Sequence, residues 1–347
     1  MIKLGLVGCG GMGHTHAKNF AAIKDCKLTA ACDIIPERAE AYAKEFDIPY
    51  VYADMEEMLA KCELDAVTLV TPDATHAPLA LKIIAKSKHI LSEKPPATCY
   101  ADAKAMADAA AAAGVINMIN FSYRDSAAIQ RAHQILAEGK LGKIMHVEAS
   151  YLQCWLSSKV WGDWRKGDNW LWRLSTGHGS AGVLGDVGVH ILDFTTFAAG
   201  NIRSLDCQLR TFHKAKDDRL GEYILDANDS GVMTIEMEDG ALGTIHFSRW
   251  ATGQKNSLRL RVYCEKGALV VDLDKSWDTL EICRGSDVDK AEWKTLKCPK
   301  TPKIYSRFIN SVISGVNDQP DYARGAQVQR MLDLCFESDK EGKRLRV

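Results

Sequence analysis

Lys94 follows Ile90-Leu91-Ser92-Glu93 and precedes Pro95-Pro96. The two prolines fix the local backbone and remove two N–H donors, which predicts a rigid Lys94 peptide. An ammonium held there can hydrogen-bond a hydroxyl and stabilise developing alkoxide charge. The alternative is a solvated surface lysine. Asp186 and His190 stand four residues apart in the segment Gly182 to Asp193. That spacing places them on one helical face, one turn apart. Imidazole can take a hydroxyl proton near neutral pH, while Asp186 can orient the ring or join hydrogen bonds to a substrate. The alternative is a helix-capping aspartate beside a core histidine. His14, His16 and His76 are further candidates for a cleft edge, in structural or cofactor-adjacent roles.

Gly8-Cys9-Gly10-Gly11-Met12-Gly13 follows the apolar run Ile2 to Val7, and Asp33 stands twenty residues after Gly13. The first glycine lets the chain turn sharply out of a strand. The second lets backbone approach a pyrophosphate, and the third lets the next helix pack close to the strand. The helix N-terminus offers free N–H groups and partial positive charge to phosphates. Asp33 ends a second apolar run, Leu28 to Cys32. A carboxylate there accepts hydrogen bonds from adenosine ribose hydroxyls and repels a 2′-phosphate. The pattern predicts a dinucleotide site that favours NAD(H) over NADP(H), a preference that Arg38 would soften.

These groups need a scaffold that gathers them. Residues 1 to about 120 alternate β-rich runs (Lys3–Val7, Leu28–Cys32, Tyr50–Tyr52, Ala66–Val70, Ile90–Ser92, Val115–Ile119) with helical patterns such as Ala77–Lys86 and Tyr100–Ala113. Such alternation predicts right-handed crossovers and a doubly wound parallel sheet of the Rossmann type. Gly8, Asp33, Thr71-Pro72, Glu93-Lys94 and Asn120 each fall just past a strand's C-terminal end, so one crevice would collect them. After Tyr123 come a helix, Ala127–Glu138, a strand, Lys143–Gln153, and a helical segment, Asp186–Ala198. From about residue 203 the pattern is antiparallel, with hairpin turns at Asp239-Gly240 and Lys266-Gly267. The expectation is an α/β chain with an NAD-binding domain over 1–123 and a second α/β domain over 124–347. The second domain holds a large, open, mainly antiparallel sheet for substrate binding and oligomerisation, with the C-terminal helix free to pack back on the first. Helices on one face leave the other wet or covered, and a partner subunit would cover it, which predicts a homo-oligomer, dimer or tetramer.

Five of the eight tryptophans, Trp155, Trp161, Trp164, Trp170 and Trp172, lie among Lys159, Asp163, Arg165, Lys166, Asp168, Asn169 and Arg173. Flat aromatic faces beside polar forks suit a ring with apolar C–H faces and equatorial hydroxyls, which makes Trp161, Trp172 and Arg173 candidate substrate contacts. The alternative is an interface or core cluster.

Composition bounds the rest. A chain of 347 residues with 46% hydrophobic and 26% charged residues suits a globular protein of about two domains. The net charge of −1 offers no nucleic-acid or membrane surface, and no run reaches the roughly 18 apolar residues of a membrane span. The N-terminus reads as a first strand, not a signal peptide. Eleven cysteines without a CxxC pair read as reduced thiols in a cytoplasmic protein. The ten histidines lack metal-ligand spacing, so no metal is expected.

Taken together, Gly5 to Gly13, Thr71 to His76, Ser92 to Pro95, Trp172-Arg173, Gly185 to Asp193 and Glu337 to Lys343 resemble the Gfo/Idh/MocA family, typified by glucose–fructose oxidoreductase and inositol dehydrogenase. The likeness spans essentially the whole chain. It implies a Rossmann domain followed by an open-sheet α/β domain, and interconversion of a secondary alcohol and ketone on a sugar, cyclitol or sugar derivative. It implies that Lys94, Asp186 and His190 form the catalytic group. His190 would take the hydroxyl proton, Lys94 would stabilise the oxygen and Asp186 would orient the pair. Glu93 and Thr71, Pro72 and His76 match cofactor-side positions, and Tyr123-Arg124 a substrate-side segment. Gly179 to Gly182 departs from the commoner triple-glycine run before the catalytic aspartate, which bears on substrate identity. Rival readings are an NAD-dependent redox-assisted glycosidase, a non-enzymatic NAD- or sugar-sensing regulator, and an imine or enone reductase.

Overall fold

The computed structural model describes residues 1–347, apart from the side chains of Asp168 and Asn169. Those two polar neighbours of the tryptophans therefore lie outside the described residues. The chain forms two units, Met1–Ser122 with Pro302–Gln329, and Tyr123–Thr301 with Arg330–Val347.

In the first unit, strands β1 (Ile2–Val7), β2 (Cys26–Cys32), β3 (Tyr50–Tyr52), β4 (Ala66–Leu69), β5 (His89–Ser92) and β6 (Asn117–Ile119) pair in parallel in the order β3-β2-β1-β4-β5-β6. Helices α1 (Gly11–Ala21), α2 (Pro36–Phe46), α3 (Met55–Lys61), α4 (His76–Ala85) and α5 (Tyr100–Ala113) make the crossovers. The doubly wound sheet read from the strand–helix alternation is therefore present. Leu4, Leu6, Val67, Leu69, Ile90 and Leu91 are buried, as strands covered on both faces require. The sequence expectation places 124–347 in the second domain with the C-terminal helix free to pack back on the first; residues 302–329, which include the helix Ile304–Ser314 and the start of the last helix, belong to the first unit. The reason is the apolar stripe of the helix Ile304–Ser314, whose Ile304, Tyr305, Phe308 and Ile309 join the core formed with Phe20 and Leu28.

The second unit opens with α6 (Ala127–Ala137) and β7 (Ile144–Leu152), then reaches α7 (Val189–Ala199) through an irregular stretch. Strands β8 (Ile202–Arg210), β9 (Ser230–Met237), β10 (Leu242–Ser248), β11 (Ser257–Cys264), β12 (Gly267–Asp272), β13 (Thr279–Arg284), β14 (Lys294–Lys297) and β15 (Leu345–Arg346) join β7 in a nine-stranded sheet. Its order is β14-β13-β12-β11-β7-β10-β9-β8-β15, antiparallel except for the β7–β10 pair. Both expected hairpins are there. Strand alternation sends Val147, Ile245, Phe247, Leu258 and Leu260 inward, while Val232 and Leu242 on the other face are each 55% exposed. A helix over Tyr322–Glu341 follows; its Ser338 and Asp339 side chains accept from the Cys207 and Leu209 amides and so cover part of the β8 edge.

Candidate active site

The glycine-rich turn leaves β1 at Gly8 with φ +97°, where a Cβ would lie 2.2 Å from the Val70 carbonyl oxygen. At Gly13 a Cβ would lie 2.3 Å from the Gly8 carbonyl oxygen. Both glycines are demanded by the protein's own backbone. Gly10 is different. Its extended φ −94°, ψ −173° suits any residue, and nothing lies within 4 Å of where its Cβ would stand. Gly11 is equally open, and the N-terminus of α1 beside it has no side-chain cap. Open space against unsatisfied N–H groups fits a pyrophosphate. Asp33, at the end of β2, accepts from the Cys9 amide (2.8 Å) and the Ile35 amide (2.9 Å). Each carboxylate oxygen retains a second acceptor site, which fits ribose hydroxyls. Met12 and Arg38 are exposed beside the turn.

Lys94 is half-buried after β5, and its peptide to Pro95 is cis. Thr71 is half-buried and Pro72 exposed on the loop after β4. His76 and Glu93, expected among the cofactor contacts, turn inward instead. His76 is fully buried, with Nδ1 2.7 Å from the Pro95 carbonyl oxygen and Nε2 2.8 Å from that of Thr71. It is a strut between the loops that follow β4 and β5. The Glu93 carboxylate meets His16 Nε2 at 2.8 Å, the Asn120 amide at 2.5 Å and the Lys94 backbone N–H at 3.2 Å. Burial alone would raise its pKa, but bonds to His16 and Asn120, with the charges of His16 and Lys94, hold it down at about 2. His16 is thus bound into this buried network, and His14 pairs with Glu45 at the surface (2.7 Å).

In the second unit, Asp186 lies on a π-helical turn, Leu184–Gly188, that runs directly into α7. The wider turn changes the angular offset that a uniform α-helix would give Asp186 and His190; such bulges recur at functional sites. Arg249 Nη2 donates to Asp186 Oδ2 (3.0 Å), and Arg173 Nε lies 3.9 Å from the same oxygen. The Arg249 side chain is fully buried against the Trp155 ring, with its guanidinium also donating to the carbonyls of Arg173 (3.0 Å) and Gly182 (3.4 Å). His190 is 8% exposed at the start of α7, edge-on to Tyr123 with ring centroids 4.9 Å apart. Tyr123, Tyr151 and Asn256 close a cycle of hydrogen bonds: Asn256 Nδ2 to Tyr123 OH (2.9 Å), Tyr123 OH to Tyr151 OH (2.5 Å) and Tyr151 OH to Asn256 Oδ1 (2.8 Å). Burial, then the neighbouring Tyr123, pushes the Tyr151 phenol well above its ordinary value, so it stays neutral. This cluster can hold the His190 imidazole in a fixed plane.

Two substrate candidates, Arg124 and Trp161, make contacts within the second unit. Arg124 grips Asp193 with two hydrogen bonds (2.7 and 2.6 Å) beneath the surface and lies over the Phe197 ring. It therefore anchors α7, the helix that carries His190. Trp161 stacks on Trp170 at 6.1 Å, against a small core containing Trp155, Trp164, Leu156, Leu171, Leu174 and Leu225. Trp155 and Trp164 are buried in that core, while Trp161 and Trp170 pack half-buried against it. Trp172 remains half-buried under the Arg173 guanidinium, 4.5 Å from the ring. The departing segment Gly179 to Gly182 is held by Asn228, which donates to the Ala181 carbonyl (3.2 Å) and accepts from the Leu184 amide (3.0 Å). Arg249, Tyr151, Asn256 and Asn228 carried no signal in the sequence, because their partners are far along the chain.

Among the described residues, no group of histidine, cysteine or acidic side chains could hold a metal, all eleven cysteines are free, and no helix is long and apolar enough to cross a membrane.

A family model described as an oxidoreductase family with an NAD-binding Rossmann fold matches residues 2–121, and a GFO/IDH/MocA C-terminal domain model matches residues 129–270. The chain is 25% identical to levoglucosan dehydrogenase of Pseudarthrobacter phenanthrenivorans, over 97% of this chain and 96% of that one. It is 26% identical to D-glucoside 3-dehydrogenase of Escherichia coli, over 100% and 97%. The solved structure of levoglucosan dehydrogenase with NADH and levoglucosan shares the fold, with a TM-score of 0.88 at 24% identity over 100% of this chain and 99% of that one.

Proposed function

Because the chain belongs to the Gfo/Idh/MocA family of NAD-binding oxidoreductases, we propose that it oxidises a secondary alcohol to a ketone on a sugar, cyclitol or sugar derivative with NAD⁺. The observation that carries the reading is the His190 imidazole packed against the Tyr123–Tyr151 pair, four residues after the Arg249-bound Asp186, in a chain whose first unit has an open glycine cradle. The relatives that act on levoglucosan and on a D-glucoside support the substrate class. When bound, the nicotinamide supplies the hydride acceptor. Gly10, Gly11, Met12 and the α1 N-terminus would hold the phosphates, with Gly8 and Gly13 shaping the turn. Asp33 would take the ribose, and Arg38, Thr71 and Pro72 would flank the cofactor. His190 takes the proton of the substrate hydroxyl, and Asp186 orients the reacting group. The Lys94 ammonium of the first unit would stabilise negative charge as it builds on a substrate oxygen. Tyr123, Trp172 and Arg173 contact the ring. The test is turnover of NAD⁺ with a panel of inositols, aldoses, 1,5-anhydrosugars and glycosides, followed at 340 nm. No NADH with any of them, from protein that binds NADH, rejects the reading.

Gly10→Ala is expected to melt as the wild type does and to weaken NADH binding at least about tenfold, since only the cradle is filled. Gly8→Ala puts an L-residue at positive φ against the Val70 carbonyl, and is expected to lose about 1–3 kcal/mol of stability or more. Thermal melts and NADH fluorescence titrations separate the two effects.

The proposed preference for NAD(H) rests on Asp33. A 2′-phosphate beside that carboxylate costs several kcal/mol through like-charge repulsion. Asp33→Ser is therefore expected to lower the NAD⁺ to NADP⁺ ratio of kcat/KM at least about tenfold. An unchanged ratio would remove Asp33 from the cofactor site.

The open sheet face, where Val232 and Leu242 stand exposed, supports a homo-oligomer, dimer or tetramer. Sedimentation of monomer alone at micromolar concentration would exclude it. The free thiols support a reducing, cytoplasmic setting.

A further inference from the structure

Glu93 collects bonds from several separate pieces of the first unit. His16, which reaches its Oε1, lies on α1, the helix that begins at the glycine cradle; the other ring nitrogen of His16 is 2.7 Å from the Thr68 hydroxyl on β4. Asn120, just beyond β6, donates to the same Oε1 (2.5 Å) and to the Tyr305 hydroxyl (3.3 Å) on the helix Ile304–Ser314. The Glu93 Oε2 holds the backbone N–H of Lys94 (3.2 Å). On the far side of Lys94, the Pro95 carbonyl is held by His76 (2.7 Å). The Lys94 peptide is therefore gripped from both ends, and one grip leads through a single buried carboxylate to the helix that starts at the cradle. Both ends of that link are buried: His16 is 0% and Glu93 6% exposed.

We infer that Glu93 and His16 are positioning residues that hold Lys94 in register with the glycine cradle, and that Glu93 is not itself a cofactor ligand. The inference rests on the reading of Lys94 as the group that stabilises the substrate oxygen. A carboxylate suits this junction because it only accepts, and all its partners here can donate. Glutamine at 93 would turn an amide N–H toward one of those donors. It would also remove the anion whose charge interacts with the Lys94 ammonium.

The test compares Glu93→Gln, His16→Leu and His16→Gln with the wild type by thermal melt, NADH titration and steady-state kinetics on the best substrate of the panel. Glu93→Gln and His16→Leu are expected to lower kcat about 10- to 100-fold, with KM and the NADH Kd within about threefold of wild type. His16→Gln, which can still donate to Glu93, should recover much of kcat. A tenfold weaker NADH Kd with kcat intact at saturation would make Glu93 a cofactor ligand and overturn the inference. Unchanged kcat in both folded variants would overturn it too. A readout independent of turnover is the acetylation rate of Lys94 at fixed pH, followed by mass spectrometry. Loss of the neighbouring anion is expected to speed it at least about threefold in Glu93→Gln. If the wild type turns over no substrate, the functional reading fails on its own, while the acetylation rate still decides whether Glu93 governs Lys94; an unchanged rate counts against it.

Discussion

His190→Ala is expected to lower kcat/KM about 10²- to 10⁴-fold while NADH still binds, the usual magnitude for losing a positioned proton acceptor. The imidazole sits at the start of α7 with Tyr123 edge-on to it and Tyr151 beyond, at 6.2 Å between centroids. Because both tyrosines are tied into the Asn256 cycle, an alanine leaves the surrounding polar groups where they are. The loss should then be one of proton transfer, appearing in kcat and little in KM. Lys94→Met should give a loss of the same order through a different route, since methionine keeps the length and removes the charge that meets the oxygen. Steady-state kinetics with NADH titrations check both variants. Near-wild-type turnover in the two would reject the assignment.

Arg249→Met is expected to lower kcat about 10- to 100-fold and to cost about 1.5–3 kcal/mol of stability, the range for losing a hydrogen bond to a charged group. The buried guanidinium holds Asp186 at 3.0 Å and the carbonyls of Arg173 and Gly182. Methionine fills similar volume against Trp155 but offers no donor, so Asp186 and the π-turn lose their fixed geometry together. Arg249→Lys restores charge without the planar fork and should fall between the two. Kinetics and thermal melts on the three proteins decide the matter. A folded Arg249→Met enzyme with unaltered kcat would mean that Asp186 needs no such anchor.

What the sequence revealed and what it hid follow from how far apart the partners are. The glycine turn, the six parallel strands and Asp33 depend on local periodicity and short spacings, which one chain displays directly. Asp186 and His190 were visible as a pair, yet the π-turn beneath them was not, since it adds no residue type of its own. Arg249 reaches Asp186 across 63 positions and Asn256 reaches Tyr123 across 133, so no local pattern announces them. The spacing marks Glu93 at a strand end, but strand alternation and two following prolines say nothing about its buried partner His16 on α1, 77 positions away. Composition alone does not divide the tryptophans: Trp155 and Trp164 form the core of an irregular stretch outside the sheet, while Trp172 stays half-buried under Arg173. The return of residues 302–329 to the first unit is likewise a matter of which core an amphipathic helix meets.

The stoichiometry of NADH and ketone formed from the best panel substrate, in the wild type and in His190→Ala, decides whether the protein is a dehydrogenase that uses His190. One NADH per ketone in the wild type, with both lost together in the variant, is the predicted result. Cleaved glycoside without net NADH, or undiminished NADH formation in His190→Ala, would contradict it.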